Sequence, residues 1–359
     1  MGPVVSPGMF TPDPDTGTLL TETHLNRPPV KLMFSLIGLC NLDCMHCAGP
    51  AKDPATPSLE LIDWVVDGLI PNIRAVRLGG NDNTEQLLSP KLLYFLDRVA
   101  TKPQLQHFTM VTNLSVIDPA LADAIAGQLT LLELSIEGTG ANYETVRGFS
   151  WDRFVSHIEM LNAARDRNPE SRLKLQLDIC SMLSYLEDAL EVERFRDWGV
   201  ERIVLREFGS RGKPGHAENL LSRDPDRVAR FLERFKEKCE QLSMRYVITY
   251  ENRFSPQRIS LQPTSAAAAT PAKPAAAAAP SKAVAEQMLP DCHQPWEIIS
   301  ISHRGEVSAC CRYPFWAEPE LVSKTIDAAW NSASFRNLRS RVNTPELEDA
   351  CRRCEFKHR

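Results

Sequence analysis

The octapeptide Cys40-Asn41-Leu42-Asp43-Cys44-Met45-His46-Cys47 places three cysteines at C-x3-C-x2-C spacing. Residues three and four apart share a face of a helix or curled loop, so the three thiols converge on one side. Iron-sulfur clusters are held by cysteine thiolates, usually four of them, and a cluster resting on three leaves one iron open to an outside ligand. Such an open iron is a place for chemistry. The competing readings are a zinc knuckle with His46 as fourth ligand, or reduced thiols packed in a core. Zinc sites normally draw on two separated ligand pairs, which this stretch does not provide.

A second group of thiols lies near the end of the chain: Cys292, then Gly305, Cys310 and finally Cys351-Arg352-Arg353-Cys354. The pattern C-x12-G-x4-C followed by C-x2-C fits two strands, 298–302 and 307–309, turning at Gly305, and a helix over 326–341. Four thiolates close one site, either an iron-sulfur cluster or a structural zinc ribbon. One further cysteine stands out by position. Cys180 ends the run Lys174-Leu175-Gln176-Leu177-Asp178-Ile179-Cys180. In a strand it shares the face of Gln176 and Asp178, so if that face is polar and interior the thiol points at an active site. The plainer reading is a small apolar filler, the usual role of a free cysteine. Cys239 falls on an outer helix and Cys311 adjoins a ligand.

These groups need a scaffold, and the apolar pattern supplies one. Short apolar runs at 31–37, 74–78, 108–112, 131–136, 173–179 and 202–206 alternate with helical spacing over 59–70, 90–100, 119–126, 151–165, 185–198 and 225–242. That rhythm predicts parallel strands with crossover helices, an α/β fold. In parallel β/α folds the active site lies at the C-terminal ends of the strands. Four segments follow: a Pro-rich extended arm over 1–30, the strand-helix domain over 31–255, an Ala/Pro-rich spacer over 256–289 and a small cysteine-bearing domain over 290–359.

Composition narrows the function. A formal net charge of −5 over 359 residues gives no basic field for nucleic acid. No run of eighteen apolar residues and no basic-then-apolar start occurs, so neither a membrane span nor a signal peptide is expected. Ten cysteines clustered in C-x-x-C patterns point to metal in a reducing compartment, hence a cytoplasmic protein.

The CNLDCMHC motif after a first strand resembles the radical S-adenosylmethionine (radical SAM) superfamily. The C-terminal cysteines resemble the twitch domain, the shortened form of the SPASM domain, with further SPASM cysteines absent before Arg359. Pro295-Trp296, Cys310-Cys311 and Trp330 followed by Phe335 look like that family as well. The resemblance implies a partial (β/α)6 barrel with a small α+β auxiliary domain. It implies a catalytic 4Fe-4S cluster on Cys40, Cys44 and Cys47, S-adenosyl-L-methionine on its open iron, and a second 4Fe-4S cluster on Cys292, Cys310, Cys351 and Cys354. A one-electron donor such as flavodoxin or ferredoxin is implied too.

The same resemblance suggests residues for the cofactor. His46 would lie against the adenine. Gly79-Gly80-Asn81-Asp82 is similar to the family's Gly-Gly-Glu, with Asn81 or Asp82 meeting the methionyl ammonium. Thr112-Asn113-Leu114 and Ser135-Ile136-Glu137-Gly138 are similar to its Thr-Asn-Gly and Ser-Ile-Asp-Gly, with Ser135 and Glu137 turned to the ribose hydroxyls, and the loop 143–148 with Arg147 follows. Arg206, ahead of the basic turn Gly209-Ser210-Arg211-Gly212, would hold a carboxylate. Thirty Pro-rich residues are too few for a leader-peptide recognition domain, which favours a small sugar, aminocyclitol or nucleoside-type substrate over a peptide. Cys180 would then return hydrogen in an epimerisation, with dehydrogenation or decarboxylation as other outcomes. The non-enzyme alternative is a zinc-stabilised binding module.

Overall fold

The computed structural model describes residues 22–79, 83–102, 105–208, 217–251, 254, 292–310, 313–318, 320–347, 349–352 and 354. The expected spacer over 256–289 lies outside them, as do Gly80, Asn81, Asp82, the turn 209–212 and Cys311.

Strands β1 (Lys31–Phe34), β2 (Gly38–Leu39), β3 (Lys52–Asp53), β4 (Ala75–Leu78), β5 (His107–Thr112) and β6 (Leu131–Ile136) are followed by β7 (Lys174–Ser181), β8 (Val200–Glu207) and β9 (Arg245–Ile248). The C-terminal segment adds β10 (Ile298–Ile301) and β11 (Val307–Ser308). Nine strands form one sheet in the order β11-β10-β1-β4-β5-β6-β7-β8-β9, parallel from β10 to β9. β2 and β3 make a separate antiparallel pair. All six strands expected from the sequence are present, within a residue or a few of the expected bounds, and β9 extends the series.

The strands alternate as a half-polar sheet requires. Leu132, Leu134 and Ile136 of β6 and Leu175, Leu177 and Ile179 of β7 belong to the apolar core under the helices. Glu133, Gln176, Asp178, Arg202 and Arg206 lie on the opposite, interior face. That face is concave: Arg77 of β4 reaches over β5 to grip Glu133 of β6 with both guanidinium nitrogens, at 2.6 and 2.7 Å. On the outer face Phe95 packs tilted against Phe34 at 5.6 Å and edge to face against Phe108 at 6.2 Å.

The crossover helices are α1 (Leu59–Trp64), α2 (Leu92–Ala100), α3 (Pro119–Gln128), α4 (Gly140–Arg147), α5 (Trp151–Arg167), α6 (Val192–Asp197) and α7 (Pro225–Gln241). Their starts are written in short polar residues. Ser58, Asp118, Ser150 and Asp224 each accept a first-turn N–H, and Pro119 and Pro225 follow two of these caps. Three expectations need correction. The helix expected over 59–70 widens after Trp64 into a π turn and tightens to a 3-10 turn at Ile70–Asn72, where Pro71 has no N–H to continue the ladder. The segment expected over 185–198 divides into a 3-10 stretch, Leu183–Leu190, and α6. The loop expected over 143–148 is the second half of α4, closed by Gly148 at φ 69°.

The C-terminal segment joins the barrel. β10 pairs with β1, and Lys31 donates to Glu297 at 2.6 Å, both side chains buried. The helix expected over 326–341 is interrupted at Asn331, giving Ile326–Trp330 and Ala333–Arg341. The interruption frees the Asn331 amide to bond the Leu25 N–H and C=O, each at 2.8 Å. Residues 22–30, the described part of the arm, are thus strapped to the C-terminal segment. Arg339 reinforces the strap, donating to the carbonyls of Thr23, Pro295 and Trp330 with its guanidinium 4.3 Å above the Trp330 ring.

Candidate metal centre and cofactor site

The three-cysteine loop leaves β2 at the C-terminal ends of the barrel strands. Its start is tied by the Cys40 N–H to Ala51, and its middle by the Met45 N–H to the Val146 carbonyl in the last turn of α4, at 2.9 and 2.8 Å. Cys44 is buried, while Cys40 and Cys47 are partly exposed. Burial raises the thiol pKa of Cys40 and pushes that of Cys44 up to about 11, against the pull of Arg147. Ligation by a metal overcomes such a cost because it stabilises the thiolate directly.

Two side chains donate to these sulfurs. Asn113 Nδ2 lies 3.6 Å from Cys40 Sγ, and Arg147 Nη1 lies 3.9 Å from Cys44 Sγ. Arg147 is buried and bound through Nε to Glu137 Oε2 at 2.6 Å. His46 Nε2 stands 3.5 Å from the other oxygen of Glu137, and its Nδ1 is buried without a partner. Burial lowers the His46 pKa. An orphaned ring nitrogen and N–H groups aimed at cysteine sulfur suit a sulfur-rich, electron-rich group in the loop. Among the described residues no three His, Cys, Asp or Glu side chains stand close enough to share a single ion. A cluster does not require that, since each iron takes its own thiolate.

Of the candidates from the strand ends, Asn113 and Glu137 meet this loop directly. Gly79 sits at the end of β4 at φ 71°, where a Cβ would come within 2.9 Å of Gln86 Cγ. Asn113 follows β5; besides Cys40 it bonds Asn41, and its Oδ1 accepts from the Ser115 N–H. Ser135 and Glu137 share the interior face, but Glu137 is occupied by Arg147 rather than open. Arg206 of β8 is clamped through Nε and Nη2 to Asp178 Oδ2 at 3.2 and 2.9 Å. Asp178 is bonded to Gln176, which in turn accepts from Arg202. Burial pushes the Asp178 carboxyl up to about 6, Arg206 and Glu133 acting in opposite directions on it. Cys180 pairs in register with Arg206 and packs against the apolar cluster of Val146, Met182 and Phe208, which Met45 also borders. Burial first, then Glu137, holds its thiol well above the ordinary range.

Sequence reasoning passed over two residues. Glu85 is fully buried, and its carboxylate accepts from Thr112 Oγ1, the Asn113 N–H and the Leu87 N–H at 2.8, 2.6 and 3.0 Å. It fastens the tip of β5, and burial raises its pKa. Tyr143 of α4 is fully buried with an unpartnered hydroxyl. Neither had a signal beyond residue type.

In the C-terminal segment Cys292, Cys310, Cys351 and Cys354 are all partly exposed, and Cys292 and Cys351 pack against the main core. Asn343 holds Cys292 by both backbone groups, at 2.8 and 3.1 Å. The hairpin turn following β10 places His303 Nε2 and Arg304 Nε on Asp53 of β3, at 2.7 and 2.6 Å. The second cysteine group is therefore anchored to the hairpin that carries the first.

Residues 292–355 match the SPASM family, an iron-sulfur cluster-binding domain. No curated protein matches the chain in sequence. In fold it is similar to Streptococcus suis SuiB bound to S-adenosylmethionine, at TM-score 0.59 and 13% identity over 92% of this chain and 71% of SuiB. It is similar also to anSMEcpe with bound AdoMet, at TM-score 0.57 and 14% identity over 91% and 87% of the two chains. The large parallel sheet is the fold of these solved structures, and the matched iron-sulfur segment adds its strands β10 and β11 to that sheet. Both of those structures hold S-adenosylmethionine and the matched domain family binds an iron-sulfur cluster, the two kinds of group expected for this chain from its sequence. No described helix is long and apolar enough to cross a membrane.

Proposed function

We propose that this protein is a radical SAM enzyme that acts on a small carbohydrate-like molecule, a sugar, aminocyclitol or nucleoside-type compound, and inverts one of its carbon centres. In this reading Cys40, Cys44 and Cys47 hold the catalytic cluster, and Cys292, Cys310, Cys351 and Cys354 hold an auxiliary one. A flavodoxin- or ferredoxin-type donor supplies electrons. When bound, the cofactor and catalytic cluster supply a 5'-deoxyadenosyl radical that takes a hydrogen atom from a substrate carbon.

The observation that carries the proposal is the place of Cys180. It stands on the interior face at the C-terminal end of β7, on the apolar cluster of Val146, Met182 and Phe208 that Met45 of the three-cysteine loop also borders, and in register with Arg206. Burial keeps its sulfur as S–H at neutral pH. A carbon radical held at the strand ends accepts that hydrogen atom on the face opposite the abstraction. The thiyl left on Cys180 is restored by one electron and one proton. The polar interior of Arg77, Glu133, Gln176, Asp178 and Arg206 supports a hydrophilic substrate over an apolar one.

The test is Cys180→Ala in anaerobically reconstituted enzyme. 5'-Deoxyadenosine should still form, epimer formation should fall at least about a hundredfold, as expected for loss of a positioned proton or hydrogen donor, and an oxidised product should appear. Wild-type product at the wild-type rate, or no solvent deuterium in the product, would reject the epimerase reading. Iron should be about eight per chain for two clusters. A colourless zinc protein would instead point to a binding module.

A second reading has an observation of its own. SuiB has been solved with its precursor peptide SuiA, and anSMEcpe with the Cp18Cys peptide, at TM-scores of 0.57 and 0.54 to this chain. Radical modification of a peptide side chain predicts binding of a precursor peptide in the micromolar range or tighter, whereas the carbohydrate reading predicts none.

A further inference from the structure

Around the three-cysteine loop the chain sets two N–H donors on two of the three sulfurs and leaves none of the donors mobile. Asn113 Nδ2 is 3.6 Å from Cys40 Sγ, and the Asn113 backbone is locked by Glu85 and its Oδ1 by the Ser115 N–H. Arg147 Nη1 is 3.9 Å from Cys44 Sγ, and its guanidinium is fixed from behind by Glu137. The side chains of Arg147 and Glu137 are 4% and 3% exposed, so water screens neither charge. The Met45 N–H bond to Val146, beside Arg147, fixes the loop against the same helix turn.

We infer that Asn113 and Arg147 are positioning residues that set the reduction potential of the cluster on Cys40, Cys44 and Cys47, with Glu137 as the counterweight to Arg147. The inference rests on the assignment of these cysteines made above. Hydrogen bonds to cluster sulfurs and nearby charge are among the main levers on such potentials. Reduction adds one negative charge to the cluster. An N–H dipole and a buried cation beside the thiolates favour that added charge and raise the potential, while a buried carboxylate behind the cation lowers it. The chain therefore carries a compensated pair, in which each member moves the potential in the opposite sense.

That opposition gives the test. The potential is read by redox titration followed by electron paramagnetic resonance, on full-length protein reconstituted with iron and sulfide. The signal lost in the Cys40→Ala/Cys44→Ala/Cys47→Ala variant identifies the cluster in question. Asn113→Asp keeps the shape and the acceptor for Ser115 but replaces the donor, and Arg147→Met removes the cation. Each should lower the potential, and a tenfold smaller reduced fraction at fixed potential corresponds to about 59 mV for one electron. Glu137→Gln keeps an acceptor for Arg147 but removes the negative charge, and should raise it. A purely structural role would give no such reversal of sign. Should Arg147→Met fail to hold iron, Asn113→Asp and Glu137→Gln decide the matter alone. Unchanged potentials, or shifts of one sign in all variants that hold the cluster, overturn the inference and leave the cluster assignment standing. If the wild type shows no signal that the triple variant loses, the assignment itself falls, and the inference with it.

Discussion

Asp178 is a buried carboxyl whose ionisation the fold controls. Its carboxyl is pushed up to about 6 by burial, with Glu133 adding to the rise and Arg206 and Arg77 opposing it. A carboxyl raised on folding contributes stability that is complete below its unfolded pKa of about 3.9 and is lost as pH climbs through the folded value. Asp178→Asn removes that dependence. The gap in melting temperature between variant and wild type should shift in favour of the variant from about pH 5 to about pH 7.5. A gap that does not change over this range would mean that Arg206 fully compensates Asp178. The residue scale also shows how little spare charge the barrel holds. Glu133 is closed by Arg77 and Glu297 by Lys31, which fits a polar interior built to orient a substrate rather than to attract any anion.

At the scale of elements, the β2–β3 pair acts as a bracket between the two cysteine groups. Gly38 of β2 lies under the His303 ring, and a Cβ there would stand 2.4 Å from ring atoms on one side and 2.8 Å from the Asp53 carbonyl on the other. Backbone bounds that second side, so the ring must give way. Gly38→Ala should therefore displace His303 and loosen its bond to Asp53. Hydrogen exchange should speed up in β2, β3 and the turn between β10 and β11, with β6 and β7 unaffected. Equal protection in variant and wild type would show that the turn does not depend on this contact. Arg147 reads as a loop residue from sequence because α4 has only eight residues, Gly140 among them, too short a stretch for apolar periodicity to show.

For the whole molecule, the C-terminal segment is part of the sheet as much as it is a cluster domain. Ending the chain before residue 292 removes β10 from the side of β1, strips Glu297 from the buried Lys31 and releases Leu25 from Asn331. Removing one partner of a buried ion pair costs about 3–5 kcal/mol, a large part of a domain's stability. A protein truncated at residue 254 should be mostly insoluble and should bind no iron on Cys40, Cys44 and Cys47. Soluble, iron-loaded truncated protein would mean that the first seven parallel strands of the barrel, β1 through β9, stand alone.

Local pattern was enough for much of this molecule. The short apolar runs placed six strands, the helical spacing of apolar residues placed the crossover helices, and thiol spacing marked both cysteine groups, because each of these depends on residues close in sequence. The phase of Cys180 with Gln176 and Asp178 was readable for the same reason, since alternation along one strand needs no partner. What lay beyond reach was every contact between distant elements. Glu85 meets Thr112 and Asn113, Arg147 meets Glu137 beside Cys44, Lys31 meets Glu297, and Asn331 meets Leu25 from 306 residues away. No periodicity encodes such pairs. They exist because the concave sheet and its returning last strands bring chain segments together, and a buried polar group at each meeting point must find its partner there.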